Sequence, residues 1–157
     1  MGTRLPFADL LESSSLTIAT VSSAGQPHAA ALYFANDQHL NFYFISKPDS
    51  QHSLDLADNS SVGVSISVPI SNWKQIHGLQ MHGKVREIKS TQAQLAAAAL
   101  YLAKFPFIIA MENEIMKNRW YMFSPVWLRW IDNRVHFGYK QEWSGDELAQ
   151  LCEYKIS

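Results

Sequence analysis

Ser50, Gln51 and His52 are the residues of this chain whose types and position first suggest chemistry. They follow a Lys47-Pro48-Asp49 break and open a run, QHSLDLAD, that reads as a short helix with Ser50 as its N-cap. A helix start presents unpaired backbone N–H groups and the positive end of a dipole, so the group it is suited to hold is a phosphate or another anion. A plain cap with a solvated first turn is the competing role for the same three residues. The remaining reactive side chains are scattered. His28 opens a strand after Gly25-Gln26-Pro27 and reads as a partly exposed surface group that can also contact a ligand. His77 and His82 stand five residues apart on one expected strand, so they point to opposite faces and cannot share a metal. His39 and His136 lack partners in sequence and read as structural, and Glu112 and Glu114 read as solvating an irregular segment. No carboxylate pair, nucleophile elbow, P-loop or dinucleotide glycine fingerprint is present.

The elements that must position these residues are mostly strands. Pro6–Glu12 reads as a short helix ended by the serine run 13–15. Strands are expected at Leu16–Val21, His28–Ala35 and Leu40–Ser46, separated by the Gly25 turn and the Asn36-Asp37-Gln38-His39 turn. In the helix after Ser50, Leu54 and Ala57 fall on one face. Ser61–Ser67 alternates Val62, Val64 and Ile66 with small polar residues, a clean period of two. Ile76–Ile88 resumes the alternation, with Gly83 where a bulge or a close backbone approach is expected. Ser90 caps an Ala- and Leu-rich helix that Pro106 ends, and Phe107–Met116 reads equally as helix or loop. Trp120–Ile131 is β-prone with Pro125 at a kink or edge, Val135–Tyr139 is expected as the last strand, and Asp146–Glu153 as a helix in the tail 144–157. Without a bulge, Trp120 and Trp130 share one face of their strand and Trp127 takes the other; aromatics on both faces would suit a dimer interface. Trp73 and Trp143 fall in expected loops, where a large aromatic covers a ligand ring or a neighbouring subunit. The whole is α+β, mainly β: one domain over residues 1–157 built on six or seven antiparallel strands with flanking helices.

Composition sets the limits. The chain has 157 residues, 47% hydrophobic and 12% aromatic, with a formal charge of −1, which describes a folded chain with no basic footprint for nucleic acid. Its single cysteine, Cys152, can form neither an internal disulfide nor a zinc framework. The N-terminus reads poorly as a signal peptide and no apolar run is long enough to span a bilayer, so a soluble cytoplasmic protein is the expectation.

The order TIATVSSAGQPHAAALYFA, LNFYFIS, SQHSLDLADNSSVGVSIS and GLQMHGKVREI, with the late FGYKQEW, resembles the pyridoxamine 5′-phosphate oxidase-like flavin-binding split barrels, and within them a small uncharacterised branch. The resemblance covers roughly Leu10 to Trp143 and rests on the order of elements more than on any one motif. It implies a split β-barrel homodimer with FMN in a cleft at the subunit interface. It places Phe44, Ile45 and Ser46 on the strand that runs along the flavin ring with its main chain, and Ser50, Gln51 and His52 where such proteins carry a phosphate-gripping Ser-Arg-Lys run. His28 begins the strand that supplies further contacts. Gln51 and His52 stand in place of the basic pair, and Tyr33 and Phe34 in place of a lysine. Lys47, or Lys140 from another strand or subunit, is the candidate ammonium, and Lys140 and Trp143 are candidates for lining the cleft. The activity implied is a flavin-dependent oxidoreductase. The alternative is a non-catalytic binding or stress-related homodimer of the same fold, holding haem, a deazaflavin or nothing.

Overall fold

The computed structural model describes residues 4–152. An antiparallel sheet curls into a half-barrel, with strands β1 (Ser15–Val21), β2 (Pro27–Tyr33), β3 (Ala35–Asn36), β4 (Phe42–Ser46), β5 (Ser61–Ser67), β6 (His77–Ile88), β7 (Arg119–Asp132) and β8 (Lys140–Ser144). Seven of them lie in the order β2-β1-β5-β6-β7-β4-β3, and β8 pairs with the second half of β7. The flanking helices are α1 (Ala8–Leu11), α2 (Gln51–Asp58), α3 (Thr91–Lys104), α4 (Glu112–Met116) and α5 (Gly145–Leu151). The split β-barrel expected from the resemblance is therefore the fold. The expected tail helix is observed as α5, and its expected last residue, Glu153, lies outside the described residues.

One run closes the curl. The expected strand His28–Ala35 bends at fully buried Phe34, whose N–H bonds the Ser14 carbonyl oxygen at 3.2 Å. Before the bend it pairs with β1, and after it with β4, so the same segment serves both edges of the sheet. The barrel interior fills as period-two patterning demands: Leu16 and Ile18 from β1, Phe42 and Phe44 from β4, Val62, Val64 and Ile66 from β5, Leu79 and Met81 from β6. A second cluster sits outside, where Ala97 and Tyr101 of α3 and Phe105 just beyond it pack on Trp120, Ile88 and Ala35. Pro106 ends α3 as expected, and the ambiguous segment after it forms a 3₁₀ turn, Pro106–Met111, then α4.

Two expectations fail for physical reasons. Trp120 and Trp130 do not share a face, because the β6–β7 register shifts between His82 and Gly83: His82 pairs with Trp127 but Gly83 with Pro125, leaving Val126 bulged. The extra residue inverts the alternation, so Tyr121, Phe123, Leu128 and Trp130 all point inward while Trp120 joins the outer cluster. Gly83 is where the strands close up, since a Cβ there would stand 2.1 Å from the Ser124 carbonyl oxygen. Nor is Val135–Tyr139 a strand. Arg134 folds back onto Asp132, and Gly138 takes a left-handed φ of +76°, so the segment is a pair of tight turns and the last strand begins at Lys140. Trp143 consequently lies in β8, not in a loop.

Candidate functional site

The sequence-predicted site residues separate into three groups. The first gathers at the N-terminus of α2. Ser50 caps the helix, its Oγ accepting from the Ser53 N–H at 3.4 Å, and lies 2.9 Å from both the Lys47 carbonyl oxygen and Ser53 Oγ. Ser46, the last residue of β4, brings a second hydroxyl to 2.9 Å from Ser50 Oγ. His52 Nε2 completes the cluster, bonded to Ser46 Oγ and 3.1 Å from Ser50 Oγ. The N–H groups of Gln51 and His52 begin the helix and so have no acceptor within it. Burial holds the His52 imidazole below its ordinary pKa, and the nearby Asp55 carboxylate only partly opposes this, so the ring is neutral at neutral pH. Lys47 follows on the exposed side.

The barrel is split beside this cluster. The β3–β4 ladder ends at Ala35 and Tyr43, and among the described residues no ladder pairs 44–46 with β2. The opposite edge of the same residues is fully used by β7, where Ser46 faces Arg119. The main-chain edge of 44–46 that faces the split therefore carries no ladder among the described residues. Phe44 is fully buried and stacked on Tyr121 at 5.2 Å, Ser46 is buried, and half-buried Ile45 packs outward against the α3 cluster. Arg119 is a cation that the sequence reading missed. Its side chain is 47% exposed and meets Glu87 only loosely, at 3.7 Å. With Ser53, Val85 and Tyr121 these two line a cavity of about 60 Å³ between α2 and the β6–β7 ladder, room for a water or two. An arginine opening a β-prone run was the available signal, but its register opposite Ser46 was not visible.

The second group is turned to another task. Asp55, on the inward face of α2, is 2% exposed. Its carboxylate accepts from Thr20 Oγ1 at 2.7 Å, Gln51 Nε2 at 2.8 Å and His28 Nδ1 at 2.9 Å. Burial alone would raise this carboxyl, but the bonds from Thr20, Gln51 and His28 more than offset that and hold it below the usual carboxylate range. Gln51 and His28 are therefore occupied in fastening α2 to β1 and β2. The apolar face expected for this helix is reversed: Leu54 is 52% exposed and Ala57 is also outside, while Ser53 and Asp55 point in.

The third group lies elsewhere. Lys140 pairs with Ile131 at one end of β7 and Ser46 with Arg119 at the other, roughly 40 Å along the strand at about 3.3 Å per residue. Within one chain Lys140 cannot reach the serine cluster. Trp143 is half-buried, its ring edge-on to Phe7 at 5.8 Å, and covers the core. His77 and His82 do take opposite faces: His77 approaches Asp9 at 3.5 Å, and His82 lies outside, stacked on Trp127. Among the described residues no group of three or more His, Cys, Asp or Glu side chains is placed to hold a metal ion, and no helix is long and apolar enough to cross a membrane.

Comparison with known proteins agrees with this architecture. The family model described as pyridoxamine 5′-phosphate oxidase matches residues 7–127. UPF0306 protein YhbP of Salmonella arizonae is 25% identical over 128 residues, 78% of this chain and 79% of that one. Among solved structures, a conserved hypothetical protein of Mycobacterium tuberculosis superposes with a TM-score of 0.73 at 16% identity, covering 92% of this chain and 94% of that one. HutZ, the haem storage protein of Vibrio cholerae, gives 0.69 at 15% identity over 78% and 91% of the two chains. A Clostridium acetobutylicum protein related to general stress protein 26, of the pyridoxinephosphate oxidase family, gives 0.66 at 16% identity over 90% and 96%.

Proposed function

The chain belongs to the pyridoxamine 5′-phosphate oxidase family, and from that premise we propose that it binds FMN in the split between β2 and β4 and acts, as a homodimer, as a flavin-dependent oxidoreductase. The observation that carries this reading is one juxtaposition: the main-chain edge of Phe44–Ser46 that no ladder uses ends in a cluster of two hydroxyls and an imidazole at a helix N-terminus. That donor set fits a flavin phosphate. Ser46, Ser50 and the N–H groups of Gln51 and His52 donate to its oxygens, the α2 dipole favours its charge, and Lys47 and Arg119 add cations at the rim. His52 is neutral in the free protein, and a dianion beside it favours the protonated ring, which adds a charge where relatives of the resemblance carry a lysine. Bound FMN supplies hydride or electron transfer, so the protein need provide only binding, ring orientation and exclusion of water. The absence of any acid–base constellation in the sequence accords with that division of labour.

A non-enzymatic homodimer holding haem, a deazaflavin or nothing is the second reading, motivated by the fold shared with HutZ. The hydroxyls and the helix N–H groups of this cluster suit a phosphate better than an iron, which favours FMN over haem here. The test is a titration of purified protein with FMN, read as quenching of flavin fluorescence, beside a haemin titration read in the visible spectrum. Saturable quenching that Ser50→Ala weakens at least tenfold is the expected result. Unquenched FMN, or haemin binding alone, would overturn the proposal.

A further inference from the structure

We infer that three aromatic rings at the closed end of the split, Tyr33, Phe105 and Phe107, form a subsite for a flat, uncharged aromatic compound that bears a carbonyl oxygen. The inference deepens the flavin reading and rests on it in one respect: a compound held beside the flavin is the substrate.

The split begins where the β3–β4 ladder stops. Ala35 pairs with Tyr43, and that register carried back past the Phe34 bend would set Tyr33 opposite Ile45. Among the described residues no ladder joins the two, and the Tyr33 carbonyl oxygen accepts instead from the Tyr101 hydroxyl of α3 at 3.0 Å. Tyr101 is buried, edge-on to Trp120 at 5.4 Å and tilted against Phe105 at 5.0 Å, so buried rings floor the closed end of the split. From this floor two rings stand out into solvent. Tyr33 and Phe107 are each 55% exposed. Their centroids lie 6.2 Å apart, and Phe105 lies 5.3 Å from Tyr33 and 5.8 Å from Phe107, with planes inclined by 52–67°. The three therefore present both edges and faces, the arrangement into which a further ring packs.

These exposed rings are held from below. Tyr33 ends β2 and its carbonyl is bonded, Phe105 belongs to the α3 cluster, and buried Ile108 anchors the 3₁₀ turn that carries Phe107. Rings held outward give up the stabilisation that burial would bring, and a ligand packed on them restores it. The chemistry of the ligand follows from the polar groups nearby. Among the described residues the Tyr33 hydroxyl has no hydrogen-bond partner, so it can donate to a carbonyl oxygen. Lys104 flanks the rings, but its ammonium is bonded to the Leu11 carbonyl oxygen at 2.8 Å and lies 3.7 Å from the Phe34 ring centroid. Arg119 alternates with outward Trp120 and lines the cavity on the inner side with Ser53 and Tyr121. Neither cation is offered to the rings, so an uncharged compound suits them and an anion does not. Ile45 faces this outer side and Ser46, the next residue, turns inward to the serine and histidine cluster. The subsite and the phosphate cluster thus share one strand edge and take its opposite faces, which sets a ring held here beside a flavin that runs along 44–46.

The test is a calorimetric titration of the flavin-free protein with coumarin, a flat uncharged lactone, and with coumarin-3-carboxylate, the same ring system carrying a charge. Coumarin should bind saturably and the carboxylate about tenfold more weakly. Tyr33→Ala and Phe107→Ala, both at exposed positions and checked for folding by circular dichroism, should each weaken coumarin binding about fivefold. Leu95→Ala, exposed near the start of α3, should leave it unchanged, and Tyr33→Ala should leave FMN affinity unchanged. Absent coumarin binding overturns the inference, as does binding that the folded ring variants do not weaken or equal affinity for the carboxylate. A loss of FMN affinity in Tyr33→Ala also overturns it, because the rings would then be the platform of the flavin itself. Coumarin binding of the expected kind in a protein that fails to bind FMN leaves the subsite standing and removes only the flavin reading.

Discussion

Helix α2 carries two polar clusters with opposite characters. On its inward face Asp55 is buried and its three bonds join donors from three elements, with Thr20 and His28 lying 35 and 27 residues away in sequence. At its N-terminus Ser46, Ser50 and His52 bond one another, while the first N–H groups of the helix have no acceptor within it and, among the described residues, no ladder uses the second edge of 44–46. The first cluster is satisfied from within the chain and therefore acts as a fastening. The second keeps donors in reserve, which is what a ligand site needs. The ten residues that sequence reasoning grouped as one site are divided by that criterion, because Gln51 and His28 belong to the fastening and Ser46, Ser50 and His52 to the reserve.

The sharpest way to break this comparison is Asp55→Ala. It leaves the buried Thr20 hydroxyl without its acceptor and unfastens Gln51 and His28, and should cost about 2–3 kcal/mol of stability, a fall in Tm of roughly 5–10 °C for a chain of this size, measured by thermal denaturation. An unchanged Tm would mean the cluster is not a fastening. Ser50→Ala should do the reverse. Loss of the cap costs about 1 kcal/mol of stability, but FMN affinity should fall by more than the same variant's stability accounts for, as judged by titration below the melting range.

The pH dependence separates the clusters further. The folded-state pKa of His52 is depressed, so the folded chain binds fewer protons than the unfolded chain as pH falls below about 6.5, the imidazole's unperturbed value. Its contribution to stability is complete above that pH and is lost as pH falls through the folded-state value. Asp55 is also depressed, so its contribution is complete above about pH 4, the unperturbed carboxylate value, and is lost at more acid pH. Stability measured by denaturant against pH should weaken in two stages, and His52→Gln should abolish only the upper one. The smallest effect is expected at Leu54→Gln, within about 0.5 kcal/mol, since the residue is half exposed; a larger loss would restore the apolar face that the sequence suggests for α2.

The fold was legible where side chains alternate strictly. Val62, Val64 and Ile66 announce β5 with its observed ends, and Gly83 announces the close approach to Ser124. What alternation cannot reveal is a change of register. The Val126 bulge inverts the faces of β7, and nothing local distinguishes it from a kink at Pro125. Likewise Val135–Tyr139 is β-prone by composition, and the turn depends on Arg134 closing on Asp132. The cluster at the start of α2 was partly legible because a helix cap is a local event. Asp55 was not, because an acid can be buried only when distant partners arrive, and Leu54 and Ala57 pointed to the opposite face. Arg119 escaped notice for the same reason: its place beside Ser46 is a property of the ladder.

The most direct test is to compare FMN with riboflavin, which differs only in lacking the phosphate, for binding to the wild-type protein. With the decisive contacts proposed at Ser46, Ser50, His52 and the start of α2, FMN should bind at least tenfold more tightly, about 1.4 kcal/mol. Equal affinities would contradict it and show that the reserve of donors at α2 is not a phosphate site.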